Sequence, residues 1–272
     1  MKTKAKIVWI TGASSDIEKS TAKSLLKNGF VVYASAKRKE EILNLRQLGA
    51  HIMLMDISED RDMQSGIDEI IANEGRIDIL INSAGFGLLG AIEDVSIEEV
   101  KYEFDVNVFG LARLSQLVLP YMRKQKSGKI ITISSDYNDA EIGLSGWYSA
   151  SKYAIEAINK SIRKEVEPFG VDVVLLEPHG IKSEWSRIAA QSLQKISTGK
   201  AYAKLAEEFL LFLKKSFPKN DEPSIVAELI LKSILEAKPK GRYYARNKAR
   251  AIIEKVALPD KQFDKSRLGQ LA

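Results

Sequence analysis

The sequence contains no cysteine and only two histidines, His51 and His179, among its 272 residues. Disulfide bonds and thiolate metal sites are therefore excluded, and we expect no metal site. No apolar run approaches the roughly 18 residues of a membrane-spanning helix, and the first run, residues 7–10, is too short for a signal peptide. We therefore expect a soluble, cytoplasmic protein.

Positive charge is unevenly distributed. The net charge is +5, but residues 238–267 carry ten Lys or Arg against three acidic residues, which leaves −2 for the rest of the chain. Such a segment is either a patch for anions, acidic partners or a membrane surface, or a solvated helix face. Because the charges alternate with alanine, isoleucine and acidic residues, we favour the solvated face. The segment lacks an aromatic stacking pattern, so we expect no nucleic-acid partner.

Short runs rich in Val, Ile and Leu alternate with longer amphipathic segments, which indicates βαβ units in a parallel sheet covered on both faces. The predicted strands are residues 6–10, 31–35, 52–55, 77–81, 129–133, 171–176 and 242–244. The predicted helices are residues 17–27, 40–48, 61–74, 97–124, 147–169 and 225–236. The fold class is therefore α/β, a Rossmann-type doubly wound parallel sheet in three α/β/α layers.

We expect one domain over residues 1–272, with an insert at about 183–223 and a basic C-terminal segment at 238–272. The insert has no strand pattern and contains an amphipathic helix at 205–217. Ligands of a doubly wound sheet bind beyond the carboxyl ends of its strands, and the insert follows the strand 171–176. The helix is thus either a lid over a substrate or an ordinary helix packed on the core.

Glycine is scarce in the turn after the first strand, where residues 11–18 read TGASSDIE. A glycine-rich turn at this place holds a pyrophosphate at the N-terminus of the next helix, where backbone N–H groups and the helix dipole favour an anion. Of the three glycines expected there, only Gly12 is present, so the turn taken alone is weak as a motif and favours a structural connection. As a cofactor site it would use Gly12, Ser14, Ser15 and Ile17.

The second strand ends without an acidic residue and is followed by Lys37 and Arg38. Cations at this place suit the 2′-phosphate of NADP(H), whereas an acidic residue suits the ribose of NAD(H). Alternatively, both are solvated residues at a helix start. Asp56, followed by Ile57, ends the third strand, where its carboxylate either accepts a hydrogen bond from an adenine amino group or caps the next helix.

The fourth strand ends in Asn82-Ser83-Ala84-Gly85, whose small residues allow a ligand to approach the backbone closely. We assign Asn82, Ala84 and Gly85 to the cofactor site. Asn107 lies in the middle of a predicted helix, where a buried amide is unfavourable without partners. It therefore either bonds neighbouring backbone or belongs to a site.

Tyr148 and Lys152 open a helix at i, i+4 spacing and so share one face. A nearby ammonium group favours the phenolate, which suits a tyrosine that donates a proton during carbonyl reduction and accepts it during alcohol oxidation. Ser135, at the end of the fifth strand, is placed to hold the substrate oxygen. We therefore predict hydride transfer coupled to proton transfer by Tyr148.

From about residue 5 to residue 185 the chain resembles the short-chain dehydrogenases/reductases, and by position Asn107, Ser135, Tyr148 and Lys152 match their catalytic tetrad. The resemblance implies that the tyrosine is the acid/base and the serine orients the substrate. It further implies that the lysine lowers the tyrosine pKa and binds the nicotinamide ribose, while the asparagine supports a proton relay.

Residues 177–183, EPHGIKS, are similar to the family's Pro-Gly segment, which implies that Pro178 and Ile181 contact the nicotinamide end. The surroundings look like a hydroxysteroid- or retinol-dehydrogenase-like subgroup. Family members usually form dimers or tetramers through the long helices, here 97–124 and 147–169, and we expect a homodimer or homotetramer. The apolar insert, which carries Trp185, Ile188, Leu193, Phe209, Leu210 and Phe212, favours a hydrophobic alcohol or carbonyl substrate.

Four residues depart from the family pattern. Asp16 and Glu18 replace the last two glycines of the turn, Ser83 replaces an asparagine, and His179 replaces a glycine. Asp16 can adopt a left-handed backbone at some cost, whereas the charge of Glu18 would face a pyrophosphate. Two like charges about 4 Å apart repel by roughly 1 to 4 kcal/mol.

Two hypotheses follow. We favour an oxidoreductase that interconverts a hydrophobic secondary alcohol and its ketone or aldehyde, with NADP(H) rather than NAD(H). The alternative is a catalytically impaired binding or regulatory protein of the same fold, with weak or no dinucleotide binding.

Overall fold

The computed structural model of the chain describes residues 5–135 and 143–245. These residues contain a seven-stranded sheet with the strand order β3-β2-β1-β4-β5-β6-β7, and every neighbouring pair is parallel. The strands are β1 (Ile7–Thr11), β2 (Val31–Ala36), β3 (His51–Leu54), β4 (Ile79–Asn82), β5 (Gly128–Ile133), β6 (Val171–Glu177) and β7 (Arg242–Tyr244). The predicted fold class is confirmed.

Helices connect the strands and cover both faces of the sheet. The α-helices are α1 (Asp16–Lys27), α2 (Leu43–Gln47), α3 (Asp60–Glu74), α4 (Ile97–Phe104), α5 (Leu111–Gln125), α6 (Gly146–Val166), α7 (Glu184–Ser197), α8 (Ala203–Ser216) and α9 (Pro223–Leu235). Short 3₁₀ segments precede α2 and follow α6 and α8, and a π-helical segment (Asp105–Gly110) joins α4 to α5.

Successive side chains of a strand point to opposite faces of the sheet, so the same buried strands contribute to a hydrophobic core on each face. On one face Trp9 of β1 packs with Ile67 of α3 and Leu114 of α5. On the other face Ile10 of β1 packs with Leu25 of α1 and Ile230 of α9. The sheet order reverses between β1 and β4, and a doubly wound sheet opens its ligand crevice at such a point.

Each predicted strand is present, with ends displaced by at most two residues. The predicted helix 97–124 is interrupted by the π-helical segment, and the predicted helix 147–169 ends as an α-helix at Val166 before a 3₁₀ turn. The insert contains two helices, α7 and α8, where only the second was expected. Apolar residues of α7 recur at Ala189, Leu193 and Ile196, but serine and glutamine between them weaken the pattern.

Most of the basic segment, residues 246–272, lies outside the described residues. Arg242 is part of that segment by sequence but not a solvated residue, because it pairs with Glu156 at 2.9 Å and with Glu177. In the described part of the chain, no helix combines the length and apolar character needed to cross a membrane.

Candidate active site and cofactor cleft

A cavity of about 300 Å³ lies beyond the carboxyl ends of the central strands. Most residues that the sequence assigns to the catalytic and cofactor sites line it. These are Gly12, Ser14, Ser15, Ile17, Lys37, Arg38, Asp56, Ile57, Ala84, Gly85, Ser135, Tyr148, Lys152, Pro178 and Ile181. Asn82 and Asn107 are not on its wall and are buried behind it.

The turn after β1 suits a dinucleotide because Gly12 has no side chain and its backbone packs closely against that of Ala84. This residue has a φ of +71°, and a Cβ there would lie 2.8 Å from the Cα of Ala84. The hydroxyl of Thr11 accepts hydrogen bonds from the N–H groups of Ser83 (3.1 Å) and Ala84 (3.2 Å). The turn and the end of β4 therefore form one surface with no room for a side chain at position 12.

Asn82 supports this surface from behind. Its side-chain amide donates hydrogen bonds to the carbonyl of Leu111 (3.1 Å) and the hydroxyl of Ser115 (3.0 Å). The structure thus directs Asn82 towards α5 and away from the cavity, although the sequence assigned it to the cofactor site.

The two acidic residues of the turn differ in their surroundings. Asp16 is exposed and accepts a hydrogen bond from the backbone N–H of Glu184 at 3.1 Å. The left-handed backbone considered for Asp16 is wrong, because Lys126 and Leu144 are the only non-glycine residues with positive φ in the described ranges. Glu18 is 4% exposed, lines the cavity and accepts a hydrogen bond from the hydroxyl of Ser83.

At one end of the cavity Lys37 lies between Asp56 and Tyr102. Its ammonium is 2.6 Å from the Asp56 carboxylate and donates to the Tyr102 hydroxyl at 3.2 Å. Burial raises the pKa of Asp56, but Lys37 and the hydrogen bonds from Ser58 outweigh it and lower that pKa below its usual value. Asp56 also accepts from the N–H of Ser58 at 3.0 Å, as a turn-capping carboxylate does.

Arg38 is exposed and forms an ion pair with Glu41 in the following 3₁₀ turn. This pair raises the pKa of the Arg38 guanidinium. Both cations predicted for a 2′-phosphate therefore line the cavity, each with a carboxylate beside it.

At the other end α6 presents Tyr148 and Lys152. The ammonium of Lys152 is 5.8 Å from the centre of the Tyr148 ring and donates to the carbonyl of Ile133 at 3.3 Å. Burial lowers the pKa of Lys152 to about 8, although nearby carboxylates oppose the shift. Ser135, two residues after β5, shares this wall of the cavity with them.

Asn107 lies in the π-helical segment, and its side-chain amide has several hydrogen-bond partners. Its amide oxygen accepts from the N–H of Phe86 (3.0 Å), and its nitrogen donates to the carbonyl of Phe86 (3.0 Å) and the hydroxyl of Ser151 (3.1 Å). A Cβ on Gly85 would lie 3.0 Å from the Asn107 oxygen and 3.5 Å from the Lys152 nitrogen. Asn107 thus bonds neighbouring backbone, and it contacts the Tyr148–Lys152 helix through Ser151 without reaching the cavity wall.

Sequence reasoning missed Glu103, which is completely buried one helical turn before Asn107. One of its oxygens accepts from the N–H of Leu88 at 3.1 Å and from Asn107 at 3.5 Å. Burial raises the pKa of Glu103 to about 8, partly offset by Leu88 and Lys152. The sequence signal was an acidic residue at an apolar position of a helix, which the exposed acidic residues around it obscure.

The chain matches the family model described as short chain dehydrogenase over residues 6–193. It is 34% identical over 244 residues to a probable short-chain type dehydrogenase/reductase, VdlC, of Helicobacter pylori, covering 90% of this chain and 89% of that protein. It is 39% identical over 172 residues to a 3-ketodihydrosphingosine reductase of Bacteroides thetaiotaomicron, covering 63% of this chain and 62% of that protein. A third relative, an NADPH-dependent 3-dehydrocapnine reductase of Ornithobacterium rhinotracheale, is 30% identical and covers 94% of each chain.

The fold has close counterparts among solved structures. A short-chain dehydrogenase from Streptomyces avermitilis superposes with a TM-score of 0.81 at 26% identity, covering 99% of both chains. The chain therefore belongs to the short-chain dehydrogenase/reductase family. It is an oxidoreductase that acts on CH–OH groups with a nicotinamide cofactor.

Proposed function

We propose that this oxidoreductase interconverts a hydrophobic secondary alcohol and its ketone with NADP(H), and that Tyr148 is its acid/base. The observation that carries the proposal is the common cavity, in which Tyr148, Lys152 and Ser135 line one end and Gly12 and Lys37 line the other. A single cavity thus joins a proton-transfer group to a surface suited to a dinucleotide.

A bound nicotinamide supplies a hydride to the carbonyl carbon, or accepts one from the alcohol carbon. The hydroxyl of Tyr148 donates a proton to the carbonyl oxygen during reduction and takes it back during oxidation. Ser135 holds that oxygen by a hydrogen bond. Lys152, 5.8 Å from the Tyr148 ring, favours the phenolate by its charge. Asn107 fixes the backbone at Phe86 and the Lys152-bearing helix through Ser151.

The apolar lid supports a hydrophobic substrate. The Trp185 ring lies 5.2 Å from the Tyr148 ring, and Trp185 and Ile188 line the cavity. Leu193 and Phe209 pack behind them in one cluster with Tyr148. Burying apolar substrate surface against this wall gains about 25 cal/mol per Å². Two of the relatives are named as reductases, and one of these two names specifies a 3-keto compound, which favours the reduction of a ketone.

Lys37 and Arg38 support NADP(H) over NAD(H), as does the NADPH-dependent relative. Both side chains are exposed at the rim of the cavity. A 2′-phosphate bound there would replace the carboxylates of Asp56 and Glu41 as the anionic partner of Lys37 and Arg38. We expect NADPH to bind at least tenfold more tightly than NADH, measured by nicotinamide fluorescence. Equal affinities would contradict the NADP(H) preference.

The acid/base assignment is tested with Tyr148→Phe, which removes the proton donor and keeps the ring. We expect kcat for ketone reduction to fall by 100-fold or more, within the usual contribution of an acid/base group, while the Kd for NADPH changes less than threefold. Tyr153→Phe, on an exposed tyrosine of the same helix, is the control and should retain activity. Retention of activity by Tyr148→Phe would overturn the assignment.

A further inference from the structure

Glu18 is a buried acidic group in the wall of the cofactor cleft, at a place where the family pattern has glycine. It belongs to the first turn of α1, which begins at Asp16 after the N-cap Ser15, and lies on the cavity wall with Gly12. One carboxyl oxygen accepts a hydrogen bond from Ser83, and the other, Oε2, is buried without a hydrogen-bond partner. A buried polar atom without a partner is uncommon and calls for a physical explanation.

Ser83 also departs from the family pattern, and it is in contact with Glu18. A serine is shorter than the usual asparagine, and its hydroxyl reaches the Glu18 carboxyl across the gap between β4 and α1. The pair keeps the Glu18 side chain inside the protein, beside the path of a dinucleotide, where solvent does not screen its charge.

The charged groups facing Glu18 are few. Asp16 on the same helix disfavours its ionisation, and Lys152 on α6 interacts favourably with its carboxylate. The other charged residues on the cavity wall are Lys37, Arg38, Asp56 and Glu184. Burial is the dominant influence and raises the pKa of Glu18 to about 6, partly offset by the hydroxyls of Ser83 and Ser15.

We propose that the dinucleotide binds the form of the protein in which the Glu18 carboxyl is protonated, so that the Glu18–Ser83 pair makes cofactor affinity decline as pH rises. The inference rests on the proposed use of this cleft for NADP(H). A protonated Oε2 offers a hydrogen-bond donor to the anionic cofactor, whereas the carboxylate offers only acceptors and repulsion. Family members with glycine at this place lack the group on which this linkage depends.

The test is the Kd for NADP⁺, measured by calorimetry between pH 5 and pH 8, for the unmodified protein and for Glu18→Gln. Glutamine keeps the size and the hydrogen bond to Ser83 but cannot ionise. The ratio of the two Kd values removes the titration of the 2′-phosphate, which occurs near pH 6 in a phosphate monoester. We expect the ratio to be near 1 at pH 5 and to reach tenfold or more at pH 8, with about 100-fold as the limit if the ionised form does not bind.

Asp16→Asn is the matched control, because it removes a carboxylate from the same helical turn, but an exposed one. Its affinity for NADP⁺ should still decline as pH rises, with the midpoint displaced slightly towards lower pH because the Asp16 charge disfavours ionisation of Glu18. Glu18→Gly is the second variant and should bind NADP⁺ with the same pH dependence as Glu18→Gln; circular dichroism melting establishes that each variant is folded. A Kd ratio that does not change with pH would overturn the inference while leaving the proposed function intact. Absence of saturable binding in every variant would overturn both.

Discussion

The Lys152 ammonium is buried and interacts with three buried carboxyl groups. Burial lowers its pKa to about 8, and the carboxyl groups of Glu103, Glu18 and Glu156 act in the opposite direction. An ammonium without those carboxylates would lose its proton more readily, and with it the charge that favours a phenolate at Tyr148. These carboxyl groups favour the charged form of Lys152 only where they are themselves ionised, so the charge of Lys152 is linked to their titration.

Glu103 makes the stability of the folded protein depend on pH. Its pKa is raised from its usual value to about 8, so the folded protein holds a proton that the unfolded chain releases above about pH 4.5. This stabilisation is fully present below pH 4.5 and is lost as pH rises towards 8, by up to about 1.4 kcal/mol per pH unit. We expect urea unfolding at pH 5, 6.5 and 8 to show a smaller decline of the free energy of unfolding for Glu103→Gln than for the unmodified protein.

Glu98→Gln serves as the control for this experiment, because Glu98 is an exposed acidic residue of the same helix, α4. Its unfolding free energy should follow the unmodified protein at all three pH values. Parallel curves for Glu103→Gln and the unmodified protein would show that Glu103 holds no such proton.

At the scale of elements, Asp16 connects the turn after β1 to helix α7 by a hydrogen bond. Helix α7 begins after Ser183, whose side chain makes no capping hydrogen bond, and the Asp16 carboxylate instead accepts from the N–H of Glu184 at 3.1 Å. A carboxylate at a helix N-terminus satisfies an unpaired N–H and interacts favourably with the helix dipole. The residue that weakens the glycine motif thus stabilises the start of α7.

We expect Asp16→Ala to loosen the first turn of α7 and to increase its amide hydrogen exchange about tenfold, which corresponds to about 1.4 kcal/mol, a typical capping contribution. The measurement is native-state exchange followed by mass spectrometry of peptides from α7. Asp68→Ala, on an exposed acidic residue of α3, should leave these peptides unchanged. Unchanged exchange at α7 in Asp16→Ala would mean that the hydrogen bond from Glu184 to Asp16 does not stabilise the start of α7.

Most elements were predictable, because periodicity reports which residues are buried and the central strands β1 and β4 are buried along their whole length. The π-helical segment was not, since its sequence, DVNVFG, continues the apolar spacing of the helices on either side. The interruption depends on contacts across the chain, chiefly the three bonds that Asn107 makes to Phe86 and Ser151. Local sequence does not contain that information.

At the scale of the whole molecule, the helices that the family uses for assembly carry exposed aromatic side chains. Phe109 is 59% exposed and Tyr153 is 48% exposed, on the π-helical segment and on α6. Scattered apolar residues are normal on a surface, but these two lie on the elements for which the resemblance predicts an interface.

A homodimer or homotetramer should therefore appear in light scattering at two or four times the chain mass of 30.3 kDa. Phe109→Asp places a charge in the expected interface and should shift the mass towards the monomer. Leu48→Asp, on an exposed apolar residue that follows α2, is the control and should leave the assembly intact. A monomeric unmodified protein would contradict the expectation.

The fold class, the family and fifteen of the residues that line the cavity, about half of its wall, were predictable from the amino-acid sequence, because these follow from burial periodicity and from motifs at strand ends. Tertiary structure alone decided the orientation of side chains whose partners are distant in the chain. Asn82 turns towards α5, Glu18 meets Ser83 65 positions away, and Asp16 reaches Glu184 168 positions away. A residue's hydrogen bonds and desolvation depend on what surrounds it in space, and the spacing of residues along the chain does not specify those surroundings.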